Sequence, residues 1–176
     1  ESKDQFLNFS HPTKGAVTFW DVSKTAWYYA PTLALVELGI VSGKEDKNGS
    51  ITGFDPTGSV SIGAAMKMSL LAAGVDTANC QGSTPNTGHW GAQYDICARS
   101  MGFGYEGSLD KSATRAEMVR FVLKAFGVTP ASGTSPFTDV PASHPDVNFI
   151  AHAYAANIVT GDKKDGVETG TFRPGS

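Results

Sequence analysis

Residues 114–117 read Thr-Arg-Ala-Glu, inside the stretch "SATRAEMVRF". A threonine followed three residues later by a glutamate forms a capping box. The Thr114 hydroxyl can take the Glu117 N–H, and the Glu117 carboxylate can return to the Thr114 N–H. Capping leaves Arg115 unexplained. The N–H groups of a first helical turn already carry partial positive charge, so a cation there is mildly unfavourable unless an anion joins it. Two readings follow. Arg115 is a solvated or salt-bridged surface residue, or the helix start and the guanidinium fork converge on one carboxylate or phosphate. In the second case Arg115→Ala would cost binding and leave the fold almost untouched, because Thr114 and Glu117 would still cap the helix.

Few other residues are arranged for chemistry. Trp90 follows His89 at the start of a helix and either packs inward or offers its flat indole face to a sugar ring. Asp21 and Asp139 cap local turns or meet a ligand. Cys80 and Cys97 are too few for a zinc site. They form a disulfide, worth about 3 kcal/mol by chain entropy, or remain buried thiols. The four histidines are scattered, and we expect no metal site. In "EDKNGSITGFD" Asp46, Asn48 and Ser50 alternate as calcium ligands do, but Thr57 stands where the bidentate glutamate belongs, which favours an ordinary turn. No nucleophile elbow, phosphate loop or zinc-helix motif occurs, so we expect neither an enzyme nor a cofactor.

The elements that must position these residues repeat along the chain. "FWDV" at 19–22 returns as "FTDV" at 137–140, and the same offset aligns Phe54 and Pro56 with Phe172 and Pro174. Trp27 and Trp90 share their spacing with Gly39 and Gly102. "SIGAAMKMSLLAAGV" aligns with "TRAEMVRFVLKAFGV". The expected units are 19–75, 86–128 and 137–176, after an N-terminal segment 1–18. Each reads as helix, loop, helix, and the third stops before its second helix. Gly39, Gly102 and Asn157 occupy the left-handed cap position. Apolar stripes along 60–73 and 113–126 must be buried against their counterparts. The fold expected is mainly α, with the units in a pseudo-threefold arrangement around a central helical bundle. Residues 1–18 or another chain would fill the place of the third core helix.

These motifs, in this order and spacing, resemble the S-layer homology family. Its repeat opens with F-x-D-V, continues through a W-A-type helix and a G-x-x-D-G-T-F-x-P loop, and enters a T-R-A-E helix. The resemblance covers 19–176. It implies binding of anionic, often pyruvylated, wall polysaccharide in grooves between units, with ligand contacts at Arg115, Trp90, Asp139, Gly161 and Thr171. It also implies an extracellular place at the bacterial cell surface. Departures are Ile62 at the position of the arginine, Pro145 at that of the tryptophan, and the missing last helix. They support an alternative: a structural or assembly subunit whose repeats make protein–protein contacts.

Bulk properties agree with an exported binding domain. The net charge is −3 over 176 residues, with 18% charged residues. No basic stripe suggests a nucleic-acid partner. No apolar run of about 18 residues suggests membrane insertion. Self-association, or another chain completing the third repeat, remains an expected partner alongside the polysaccharide.

Overall fold

The computed structural model describes residues 2–176. Its chain divides into two compact units, Glu1–Ser59 and Val60–Ser176. The expectation of a mainly α fold is corrected here. Five helices make up about 30% of the chain and strands about 15%, so no single class dominates.

Strand content enters first through the N-terminal segment. Strands β1 (Phe6–His11) and β2 (Gly15–Ser23) form an antiparallel hairpin with Leu7 opposite Phe19 and His11 opposite Gly15. Alternation along a strand sends every second side chain to one face. Leu7 shares its face with Phe9, and Phe19 shares its own with Val17; the register shift after Phe6 lets Val22, three residues beyond Phe19, join them against Val36 of helix α1 (Tyr29–Glu37). Among the described residues of this segment the only helical piece is a 3-10 turn at Lys3–Gln5, and Leu7 and Phe9 pack within the first unit. A short ladder, β3 (Lys44–Glu45) with β4 (Ile51–Gly53), completes it. The Asp46 carboxylate accepts the N–H groups of Asn48 and Ser50 across the connecting turn, at 2.8 and 2.9 Å. That is the hydrogen bonding of an ordinary polar turn.

The second unit contains α2 (Ile62–Ala72), α3 (Ala92–Ser100), α4 (Arg115–Ala125) and α5 (Val147–Ala155). It ends in a two-stranded ladder, β5 (Lys163–Lys164) with β6 (Val167–Glu168). Asp165 and Gly166 lie between them at φ of 51° and 81°, the left-handed pair that a two-residue hairpin turn requires. Helices α2 and α4 pack together as their stripes demand. Helix α4 is buried on two sides. Phe121 and Ala125 enter one core with Ile62, Met66, Leu70 and Phe103. Ala116, Val119 and Leu123 enter another with Ile150, Val140 and Phe172. The single stripe expected on α4 is thus displaced, leaving Phe126 exposed. Met118, Val122 and Ile158 border an apolar groove of about 160 Å³.

Helix ends follow their local chemistry. Gly39, Gly102 and Asn157 stop α1, α3 and α5 at φ of 70°, 79° and 56°. A left-handed residue at this point lets the chain turn back and satisfy the last carbonyls. Ser61 caps α2, and Thr114 with Glu117 forms the capping box of α4.

Cys80 and Cys97 form a disulfide with Cα atoms 5.2 Å apart. It ties the loop before α3 to that helix. Reduction should lower stability by about 3 kcal/mol, the chain-entropy value for a loop of this size. Urea unfolding of oxidised and reduced protein measures it, and coincident midpoints would contradict it.

Candidate functional site

The loop 160–173 gathers most of the polar side chains singled out in the sequence. Asp139 lies at its base, and its carboxylate accepts the N–H groups of Phe172 and Arg173 at 2.9 and 2.7 Å. Burial acts to raise the Asp139 pKa, but these backbone donors outweigh it and hold it below its ordinary value. Gly161 is buried against the Phe137 ring, where a Cβ would stand 2.8 Å from a ring carbon. Phe137 stacks in turn on Phe172, with ring centres 5.3 Å apart. The Thr171 hydroxyl reaches Asp162 at 3.3 Å and Thr169 at 2.7 Å.

Arg115 reaches into this loop from the first turn of α4. Its guanidinium donates to Asp162 at 2.9 Å and to the carbonyls of Phe172 and Thr160 at 2.9 and 2.8 Å. It also lies over the Phe172 ring, 4.3 Å from its centre. The backbone N–H groups of Arg115 and Ala116 are equally engaged, by the carbonyls of Ser176 and Pro174 at 2.7 and 3.1 Å. The anion that Arg115 meets is therefore Asp162. Removing the arginine would strip four contacts from the loop, so the expectation of an unaffected fold is revised.

Arg173 completes the cluster, donating to Asp162 from Nε at 2.6 Å and from a terminal nitrogen at 2.9 Å. These hydrogen bonds, followed by those of Arg115 and opposed by desolvation, lower the Asp162 pKa from 3.8 to about 2. Two guanidinium groups thus share one carboxylate. Asp139 at the base of the loop supplies the second carboxylate that balances the two guanidinium groups, and the Arg173 side chain is 65% exposed. Sequence reasoning missed Arg173 and Asp162. The signal available was their alignment with Asp55 and Lys44, a pair of reversed charge in the first unit.

Trp90 stands elsewhere, at the start of α3, and is 56% exposed. Its indole edge passes over Gly63 of α2, where a Cβ would lie 3.4 Å from Cζ2. Tyr94 meets the indole edge-on with centres 6.3 Å apart. The neighbouring His89 accepts the Gly91 N–H at Nδ1 and contacts Asp110 at 3.1 Å. Ile62, at the position of Arg115 on α2, is fully buried and supplies no charge. Asp95, fully buried, contacts Thr84 and Asn86 and accepts the Tyr105 N–H and an Arg99 donor. Burial pushes its pKa up, and these partners together bring it below the ordinary value. No group of side chains among the described residues has the makings of a metal centre.

Matched loops, each held by an aspartate, recur beside short helices and mark a repeat-built domain. The S-layer homology domain model matches residues 18–61 and 136–176. The chain belongs to the S-layer homology family. Domains of this family bind cell-wall polymers and serve in anchoring at the cell surface; the family is not a catalytic one. No curated protein matches the chain. No helix among the described residues is long and apolar enough to cross a membrane.

Asp162 generates a pH test. A carboxyl whose folded pKa is depressed stabilises the fold above its unfolded value and loses that contribution as pH falls towards the folded one. Thermal unfolding should therefore lose a share of its Tm between pH 3.8 and about 2 that Asp162→Asn lacks. Identical pH profiles would contradict the ion cluster. Arg115→Ala should cost about 1.5–3 kcal/mol, the range for hydrogen bonds from a charged group. Unchanged urea unfolding would contradict that.

Proposed function

We propose that this chain anchors a surface protein to the bacterial cell wall by binding an anionic wall polysaccharide, with pyruvate ketals as the charged groups. The observation that carries the reading is the Arg115–Asp162–Arg173 cluster. Two guanidinium groups converge on the Asp162 carboxylate, and Arg173, 65% exposed, turns outward near the hydroxyls of Thr169 and Thr171, which link to the same carboxylate. A planar guanidinium matches a carboxylate with two parallel donors. In this reading Arg173 meets the ketal carboxylate. Arg115 presents its remaining donors from behind and holds the loop in place. Asp139, Gly161 and Thr171 give the loop its shape. Trp90 offers a separate platform, where an indole face stacks on the C–H bonds of a sugar ring. The corresponding start of α2 carries Ile62, so the arginine cluster is the principal anion contact.

Titration calorimetry against purified pyruvylated wall polysaccharide tests this. Arg173→Ala should weaken binding about tenfold or more, the equivalent of one charge-assisted hydrogen bond. Arg115→Lys should also lose affinity, because a point charge does not reproduce the planar fork. Trp90→Ala should weaken binding without changing its salt dependence. Binding of equal strength by all four proteins would remove these residues from the site. Absence of binding by the wild type would remove the glycan itself.

A further inference from the structure

Strand β2 sends Val17 and Phe19 inward, so Ala16, Thr18 and Trp20 share its opposite, solvent-facing side. With Lys3, Lys14 and Ser50 they line a cleft of about 500 Å³. Every residue that lines it belongs to the first unit. Pockets that enclose small ligands run from about 300 to 1,000 Å³. Trp20, 49% exposed, is the one large apolar side chain presented there to water.

The repeat does not require an indole at this place. Phe19, Asp21 and Val22 match Phe137, Asp139 and Val140, but Trp20 falls where the third repeat has Thr138. The Thr138 hydroxyl donates to the Gly170 carbonyl at 3.2 Å, a contact with its own loop. Trp20 instead leans on Phe6, with ring centres 5.4 Å apart, and keeps about half of its surface open. Thr18 and Ala16 follow it on the same face, and their small side chains leave the space beside the indole clear. A tryptophan in such a setting offers a large, rigid contact area with little side-chain entropy to lose on binding.

The polar groups around the indole are held in place. The Thr18 hydroxyl donates to the Asn8 side-chain oxygen at 2.6 Å, and the Asn8 amide donates to the carbonyls of Lys3 and Phe6 at 2.8 and 3.0 Å. Across the cleft the Lys14 ammonium meets the Glu45 carboxylate at 2.9 Å and donates to the Gly49 carbonyl, which fixes the turn that carries Ser50. Charge is balanced locally. Lys14 is paired with Glu45, and Asp4 follows Lys3. A flat apolar face ringed by hydroxyl, amide and ammonium groups, with no excess of one sign, matches a sugar ring: C–H bonds on its face and hydroxyls around its rim. We infer that the cleft over Trp20 is a second glycan site, which takes an uncharged pyranose chain with one ring stacked on the indole. It stands on the geometry of the first unit and not on the arginine cluster, whose proposed ligand is charged.

The test titrates the full chain, labelled with nitrogen-15, with chitotetraose and cellotetraose as uncharged probes and tetragalacturonate as an acidic one. An uncharged probe should shift the Trp20 indole N–H and the amides of Thr18, Gly49 and Ser50. Its half-saturation should stay within about twofold when salt is raised tenfold, because no screened charge pair forms. Trp20→Thr, which takes the residue type of the matching place in the third repeat, should weaken binding about tenfold or more, the scale of an aromatic anchor. Should that variant fail to fold, the indole signal of the wild type decides: an indole N–H that stays still while a probe binds overturns the inference. So would no shift with either uncharged probe at millimolar concentration, equal binding by Trp20→Thr, or a preference for tetragalacturonate that fades with salt. Shifts confined to the loop 160–173 would also overturn it, and would leave the reading of that loop to its own titration.

Discussion

The paired N–H groups at the starts of α2 and α4 are the constraint on which the second unit is built. Neither pair has a partner within its own helix. Each finds one in a loop beyond the following helix, Lys111 and Leu109 for α2 and Ser176 and Pro174 for α4, at 2.7–3.1 Å. A net gain of about 1 kcal/mol per hydrogen bond understates their importance, because a buried donor left without a partner costs more. The docked loops also determine what each helix start can present. At α4 the loop brings Asp162 and the Phe172 carbonyl to Arg115. At α2 it brings Leu109 beside Gly63 and beneath Trp90. The same backbone solution yields a charged cluster in one place and an aromatic surface in the other.

Loops of this kind are held in shape by carboxylates. Asp21 and Asp139 do it from the F-x-D-V motif, by accepting two successive N–H groups more than thirty residues away. The segment between α2 and α4 has no F-x-D-V. There Asp95 of α3 takes over, holding Tyr105, Thr84 and Arg99, while the disulfide secures the preceding loop. This exchange of one anchor for another explains why that segment departs furthest from the other two in sequence.

The sequence spoke most clearly where one residue type satisfies one backbone need. Gly39, Gly102 and Asn157 declared three helix ends, and Thr114 with Glu117 declared a helix start. Long-range pairings were less legible. Nothing adjacent to Arg115 names Asp162, 47 residues away, as its partner. The hairpin of β1 and β2 was hidden for a different reason. Its alternation is short, interrupted by a register shift after Phe6, and its first strand lies ahead of the first recognisable repeat. The stripe on α4 misled because a helix clasped between two cores buries residues at several angles. Its sequence then no longer reports one inward face, and Phe126 ends up exposed beside buried Ala125.

Domains of this family serve in anchoring at the cell surface, where a chain meets load, and the Cys80–Cys97 bond bears on how this chain would yield. The two cysteines are 17 positions apart. Drawn out fully, that span would add roughly 60 Å of contour length. With the bond closed, a pull on the ends of the chain bypasses the loop and passes directly through the covalent link into α3. Trp90 and the Thr84–Asp95 contact lie inside the bypassed segment. They stay slack while the flanking chain takes the tension. An anchor arranged in this way gives up less length before its neighbours must unravel, and it protects one aromatic surface from being stretched out of shape.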